Sequence, residues 1–298
     1  FRKENKSVIF ISHDLDEIME VSDTLTVLRD GKIIRTFEKA EFDAGAIRAS
    51  MIGRELQGDY YRSDFQASSQ PEVALDVRNL VYADRLKGIS FQVHKGEIVG
   101  IGGLAHCGMH SLGKVCFGAL KPEEGSVTVE DGIIIDSPAI AMKKRVGYVS
   151  KDRDVESLCL NASIEDNISI AGMSEFAINN FLILKNREKK YVNHQIEELS
   201  IKCAGRDQSV SQLSGGNKQK VVFGKWIGCG SEILILDCPT RGVDIGVKQA
   251  MYQLMVRLKN EGKSILMISE ELPELIGMSD RILIMKNGEV SAEFERSE

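Results

Sequence analysis

Residues 213–220 read LSGGNKQK, and sixteen positions after Gly216 begins EILILDCPTRGVD, residues 232–244. A serine followed by two glycines at a helix start offers a hydroxyl and unobstructed N–H groups to an anion, because the first turn of a helix has no internal partners for its donors. Taken alone, Ser214, Gly215 and Gly216 read equally well as a plain helix cap. The second stretch is a short apolar strand ending in Asp237, a carboxylate suited to a hard cation such as Mg²⁺. Next to it, where a second carboxylate would activate a water, stands Cys238.

Working outward, the following apolar run ends in SEEL, residues 269–272, and an upstream run, GEIVGIGGLAHCGMHSLGKVCFGAL, spans residues 96–120. The latter reads as a buried strand, a glycine-containing loop and a helix. A phosphate loop of the form G-x-x-x-x-G-K-[ST] works because successive backbone N–H groups face the phosphates, while the lysine adds charge and the hydroxyl binds Mg²⁺. Gly103 and Gly108 have that spacing, but Met109 and His110 occupy the lysine and hydroxyl positions. The loop alone leaves two readings open, nucleotide binding and a structural strand-to-helix turn. His106, Cys107 and His110 make a poor metal set, since His106 precedes the helix start and no further ligand is near in sequence.

Residues 1–39 align without gaps on residues 258–296 and share twelve identities, where composition alone gives about two or three. The core of the match is residues 7–38 on 264–295, an offset of 257. Each copy is expected to form an apolar strand, a short helix starting near Asp14 or Glu271, a strand, a turn at Gly31 or Gly288, and a last strand. DAGAIRASMIGREL then reads as a closing helix. The second copy ends a domain-sized unit, so the first is expected to be the tail of another such unit. The boundaries that follow are 1–57 for this remnant, 58–71 for a polar linker ending in Pro71, and 72–298 for a complete domain.

The 298 residues carry 38 Lys and Arg against 44 Asp and Glu, a net charge of −6, which argues against a nucleic-acid partner. No apolar run approaches the ~20 residues of a membrane-spanning helix, so any membrane role is expected to be peripheral. Six scattered cysteines without a C-x-x-C pair read as reduced cytosolic thiols.

The order of a glycine loop, L-S-G-G, an apolar strand ending in Asp, and a strand ending in S-x-x-L resembles the ABC-type ATPase. In detail, LSGGNKQK, PTRGVD and ELPE, together with MIGREL and GMSDRI, resemble the double-domain ATP-binding subunits of bacterial ribose, galactose and xylose importers. The resemblance covers essentially the whole chain. It implies an α/β fold, a P-loop ATPase domain with a mixed sheet, flanking helices and a helical subdomain at about 152–212. It further implies ATP and Mg²⁺ as cofactors and a peripheral place on the cytoplasmic face of the plasma membrane. The implied partners are membrane permease subunits docked on the helical subdomain, indirectly a periplasmic or lipid-anchored sugar-binding protein, and the missing first domain or a second copy.

Carried onto this chain, the resemblance makes Asp237 the Mg²⁺-orienting residue and puts Cys238 at the position of the water-polarising glutamate. Lys151, in GYVSKDRD, falls in the loop that senses the γ-phosphate. His13 is the switch histidine of the first domain, and Glu270 takes that place in the second. Gly103, Gly108, Met109 and His110 form the phosphate loop. Ser214, Gly215, Gly216 and Gln219 belong to the signature that closes on ATP held by the opposite domain.

The departures weaken the second domain's own site. A positioned general base contributes typically ~10²- to 10⁴-fold in rate, and a thiol of ordinary pKa about 8.5 is largely protonated at neutral pH. Cys238 therefore reads as a small buried apolar residue. A Glu270 carboxylate about 4 Å from a phosphate charge costs on the order of 4 kcal/mol at an effective dielectric of 20, with Lys151 offsetting it in part. Weak nucleotide binding and little hydrolysis are expected.

Two other readings compete: a double-ABC protein acting on ribosomes or nucleic acid, and a truncated remnant. The first is expected to have a long basic linker, which GDYYRSDFQASSQPE is not. The second would leave an exposed sheet edge in residues 1–57.

Overall fold

The computed structural model describes residues 4, 6–12, 15–29, 31–52, 60–63, 69–130, 132–178 and 182–296. His13, Gly53–Leu56 of MIGREL and parts of the 58–71 stretch lie outside the described residues. The chain divides into two compact units, Phe1–Tyr60 with Asp244–Ala250 and Tyr61–Val243 with Met251–Glu298.

In the first unit, helix α1 (Leu15–Val21) leads into strands β1 (Thr24–Arg29) and β2 (Lys32–Glu38), followed by helix α2 (Ala44–Ile52). Gly31, at φ +73°, makes the hairpin turn in the left-handed region that glycine adopts without strain. Leu15, Leu25, Val27, Phe37 and Ile47 form a small buried cluster. Residues 7–11 were expected to be a strand, but no strand is assigned there. Val8, Ile9, Phe10 and Ile11 are exposed, because an isolated apolar run has no ladder to join: among the described residues this unit's sheet consists of β1 and β2 alone.

The second unit runs β3 (Val73–Tyr82), β4 (Leu86–His94), β5 (Ile98–Gly103), α3 (Met109–Cys116), β6 (Glu124–Val129), α4 (Pro138–Lys143) and β7 (Val146–Val149). It continues with α5 (Ile164–Ser169), α6 (Met173–Phe176), a two-rung hairpin β8 (Ala177–Ile178) and β9 (Leu182–Ile183), α7 (Lys185–Glu198) and α8 (Gly215–Gly228). It ends with β10 (Ile233–Asp237), α9 (Ile245–Asn260), β11 (Ser264–Ile268), α10 (Leu272–Met278), β12 (Arg281–Lys286) and β13 (Glu289–Glu295). The first residues of α9 fall in the first unit.

A six-stranded sheet has the order β13-β12-β5-β11-β10-β7, and a three-stranded antiparallel sheet has the order β4-β3-β6. All pairs of the larger sheet are parallel except β12 with β13. Strands β7, β10 and β11 are buried along their whole length, as their uninterrupted apolar sequences require of a sheet covered on both faces. Between β7 and α8, the segment α5 to α7 is mostly helical, as the sequence led one to expect. Residues Ile164, Ile168 and Val192 make its buried spine.

The repeat is visible in three dimensions. Helix α1 maps onto α10, β1 onto β12 and β2 onto β13 at the same offset of 257. The pairing Thr24↔Glu38 corresponds to Arg281↔Glu295, and the register shift between Val27 and Leu28 corresponds to that between Ile284 and Met285. The environments differ. Met285 is 1% exposed and its counterpart Leu28 67%, since β12 joins β5 in a six-stranded sheet whereas, among the described residues, β1 pairs with β2 alone.

The stretch read as a linker is anchored at its start. Arg62 is buried, forms a 2.9 Å ion pair with Asp280 and donates to the Met278 carbonyl. Tyr61 packs against Tyr252, with ring centroids 5.2 Å apart and the planes tilted by 43°. The second unit therefore begins at Tyr61, ten residues before Pro71. Lys259 also pairs with Asp280 at 2.9 Å, and Asp280 accepts the Ile98 N–H. A buried carboxylate with two cations and a backbone donor is satisfied on every side.

Candidate functional site

Parallel strands bring their carboxyl ends to one edge, and that edge collects the residues singled out from the sequence. In register, Asp237 stands opposite Ile268, Ile268 opposite Ile101, and Leu236 opposite Val149. The next residues along β5, β7, β10 and β11 are thus Gly103, Lys151, Cys238 and Glu270 within a step or two of one rim. Helix α3, which follows the glycine loop, adds His110.

These side chains form one network. His110 Nδ1 lies 2.7 Å from Asp237 Oδ1, and Tyr148 donates its hydroxyl to Asp237 Oδ2 at 3.2 Å. Lys151 Nζ is 2.6 Å from Glu270 Oε1 and 3.0 Å from His110 Nε2, and Glu270 Oε1 is 3.4 Å from the same nitrogen. With a ring hydrogen on Nδ1, His110 donates to Asp237 and its Nε2 accepts from Lys151, which also donates to Glu270. The Asp237 side chain is 1% exposed. Burial and the adjacent Asp237 charge push the Tyr148 phenol well above its ordinary value, so it remains a donor. The Lys151 hydrogen bond holds the Glu270 carboxyl below the usual carboxylate value. Burial, then the charges of Asp237 and Glu270, push the Cys238 thiol up to about 12.

Cys238 is buried at φ +49°, and its N–H donates to the Ile268 carbonyl at 2.8 Å. Gly108 sits at φ +103°, and an added Cβ would strike the Arg85 carbonyl, so the loop requires glycine there. Met109, expected on the phosphate face, is 1% exposed and buried in the core. Its apolar side chain gains by leaving water where a lysine would have stayed at the surface.

The fit to Mg²⁺ and ATP is therefore poor in this loop. Both Asp237 oxygens are engaged by His110 and Tyr148, the lysine position is apolar, and His110 supplies no hydroxyl. The residues present do not match a hydrolytic Mg·ATP site of this chain's own.

The signature lies at the start of α8. Ser214 caps the helix, accepting the Asn217 N–H at 3.4 Å and the Asn217 side-chain amide at 3.0 Å, and remains exposed. A Cβ on Gly215 would stand 3.0 Å from Arg153 Nη2 and 3.1 Å from the Gly242 carbonyl. Gln219, expected on the same nucleotide-facing surface, is instead 1% exposed. One turn into α8 its side chain turns inward, where Arg153 Nη1 lies 3.4 Å from its carbonyl oxygen.

Arg153, Thr240 and Glu274 were not recognised in the sequence. Arg153 donates to the carbonyls of Arg241 at 2.6 Å and Gly242 at 3.2 Å, tying the loop after β10 to the signature. Thr240 donates to Glu274 at 2.5 Å, and Ser269 Oγ donates to the other Glu274 oxygen, joining PTRG to ELPE beneath the rim. A surface hollow of about 390 Å³ beside α3 is lined by Tyr82, Arg85, His110, Ser111 and Lys114. Another, of about 440 Å³, touches Ile233 and Ser264 at the amino ends of β10 and β11, away from the carboxyl rim.

This nucleotide-cassette architecture agrees with the family comparison: the family model "ABC transporter" matches residues 86–241, and the chain belongs to that family. It is similar to the ribose import ATP-binding protein RbsA of Clostridium tetani, with 38% identity over all of this chain and 58% of that protein. It is likewise similar to RbsA of Streptococcus agalactiae serotype Ia, with 40% identity over all of this chain and 60% of the relative. The chain thus spans about three fifths of the length of these relatives. A dimeric post-hydrolysis ATP-binding cassette bound to ADP and Pi matches with a TM-score of 0.65 over 74% of this chain and 98% of its own, and its 20% identity shows the fold alone.

Proposed function

We propose that this chain is part of the ATP-binding subunit of an ABC importer for a monosaccharide such as ribose, and that its own phosphate site is degenerate. The observation that carries the reading is the occupation of Asp237 by His110 and Tyr148, which leaves the strand end closed on itself while Ser214, at the signature, stays exposed. The domain read from the sequence at 72–298, extended back to Tyr61, is a second cassette, and residues 1–57 are the tail of a first. Ser214, Gly215 and Gly216 cover ATP and Mg²⁺ held by the phosphate loop of the other cassette, to which His13 contributes as a switch. In the degenerate site Cys238 and Glu270 replace the base and the switch. Permease subunits dock on the segment 152–212, a sugar-binding protein acts through the permease, and the subunit lies peripherally on the cytoplasmic face. The similarity to ribose importers and the structural repeat at offset 257 support this reading.

The test is ATP turnover. The purified chain is expected to hydrolyse ATP no faster than an Asp237→Ala variant, and to stimulate turnover when combined with a cassette bearing an intact G-x-x-x-x-G-K-[ST] loop. Ser214→Arg should remove that stimulation. Ordinary ATPase activity in the isolated chain, abolished by Asp237→Ala, overturns the reading.

A further inference from the structure

The charge inventory at the rim raises a question that nucleotide chemistry leaves unanswered. Asp237 is a carboxylate with 1% of its side chain exposed, and among the described residues no lysine or arginine pairs with it. The neighbouring cation, Lys151, pairs with Glu270. His110 and Tyr148 hydrogen-bond this buried carboxylate without either being a lysine or arginine, and a cation inserted between Asp237 and His110 would complete its charge. An imidazole nitrogen of His110, a carboxylate oxygen of Asp237 and the sulfur of Cys238 all lie within 4.8 Å of one another.

Nitrogen, oxygen and sulfur donors at this spacing suit a borderline-soft divalent ion that accepts thiolate, and they suit Mg²⁺ poorly, since Mg²⁺ prefers oxygen ligands in octahedral array. Tetrahedral zinc, with bonds of about 2.0–2.3 Å, places its ligands somewhat under 4 Å apart, so His110 Nδ1 and Asp237 Oδ1, 2.7 Å apart across their hydrogen bond, must open slightly while the widest spacing among the three contracts. The fourth position would fall to water, since His110 is partly exposed.

We propose that His110, Asp237 and Cys238 form a binding site for zinc or a zinc-like divalent cation in the place where the fold would otherwise hold Mg²⁺. The charges balance: a dication meets one carboxylate and one thiolate, and Glu270 with Lys151 is already neutral as a pair. Binding releases the Cys238 thiol proton to solvent. It also shifts the His110 proton from Nδ1 to Nε2, freeing Nδ1 for the metal; Nε2 then donates toward Glu270, and Lys151 gives up its contact with that nitrogen while keeping its pair with Glu270. The surroundings then supply the outer partners that metal ligands need: Glu270 for His110, and Tyr148 for the second Asp237 oxygen. Cys238 is held in place by its own backbone, through its left-handed φ and its bond to Ile268. This site goes beyond the transport reading and does not depend on it.

Cobalt is the probe, because thiolate-bound tetrahedral Co²⁺ shows an intense near-ultraviolet charge-transfer band. The metal-stripped full chain is expected to take up one Co²⁺ with that band, to exchange it for one Zn²⁺, and to keep it in excess Mg²⁺. Cys238→Ser should abolish the band, and Cys159→Ser, at an exposed thiol, should leave it unchanged. His110→Gln should weaken Co²⁺ and Zn²⁺ binding at least about tenfold, and Glu270→Gln about 10- to 100-fold. Thermal melts check that each variant is folded, and should one fail, the remaining variants decide. Absence of the band in the wild-type chain, or its persistence in folded Cys238→Ser or His110→Gln, overturns the site. ATP turnover enters none of these measurements, so failure here and failure of the importer reading are separate results.

Discussion

Lys151 Nζ and Glu270 Oε1 stand 2.6 Å apart, from strands β7 and β11 that flank β10, so the ion pair reaches across the end of the strand carrying Asp237. With Lys151 removed, Glu270 would face Asp237 and Cys238 with His110 as its remaining side-chain partner among the described residues.

That pair fixes a pH dependence. The folded Glu270 pKa is depressed, chiefly by the Lys151 hydrogen bond, so its contribution to stability is present above the ordinary carboxylate pKa of about 4.3. It is lost as pH falls through the folded value. Glu270 is nearly half exposed, so solvent screening keeps the effect small. Lys151→Met should raise the Glu270 pKa in a carboxyl-carbon NMR titration, and an unchanged value would show that Lys151 is not the cause.

Thiol reactivity offers a second measurement. Burial pushes Cys238 up to about 12, while Cys159 is exposed. Since the thiolate is the reacting species, iodoacetamide at pH 8 should modify Cys159 at least about 10²-fold faster than Cys238. Peptide mapping over time reads the ratio, and comparable rates would contradict the buried placement.

The Asp280 cluster predicts a large stability effect. Asp280→Ala removes the carboxylate that pairs with buried Arg62 and Lys259, and breaking such a buried pair costs about 3–5 kcal/mol. A fall in urea midpoint of that size, with an unchanged slope, is expected; a change below about 1 kcal/mol would show that water enters the site.

Gly108→Ala should also destabilise the second unit, by more than about 1 kcal/mol, because the new methyl meets the Arg85 carbonyl at a φ of +103°. Gly132→Ala, at φ +72° but with open space around it, separates the backbone penalty from the collision. Equal losses in melting temperature would mean that the collision relaxes freely.

Much of this was legible beforehand because it rests on local signals. Apolar runs of five residues ending in Asp237 or Ser269 mark buried parallel strands, and the repeat located α1, α10 and both hairpins almost to the residue. Other features depend on contacts distant in sequence. Nothing near Met109 announces that its side chain turns into the core, nor does Gln219 reveal that Arg153 lies behind it. The run at residues 7–11 copies β11 in its apolar pattern, yet β11 is a strand because β5 and β10 flank it. Pairing belongs to neighbours, and composition does not encode them. The closing of Asp237 by His110 spans 127 positions, which only the parallel sheet brings together.

The matched register shift after Val27 and after Ile284 has a practical meaning for anyone recombining this chain. Both ribbons skip a rung at the same count, so residues 281–295 could be transplanted in place of 24–38 with every later side chain still emerging on its former side. In backbone register the two ribbons are equivalent, whatever chemistry each end of the polypeptide serves.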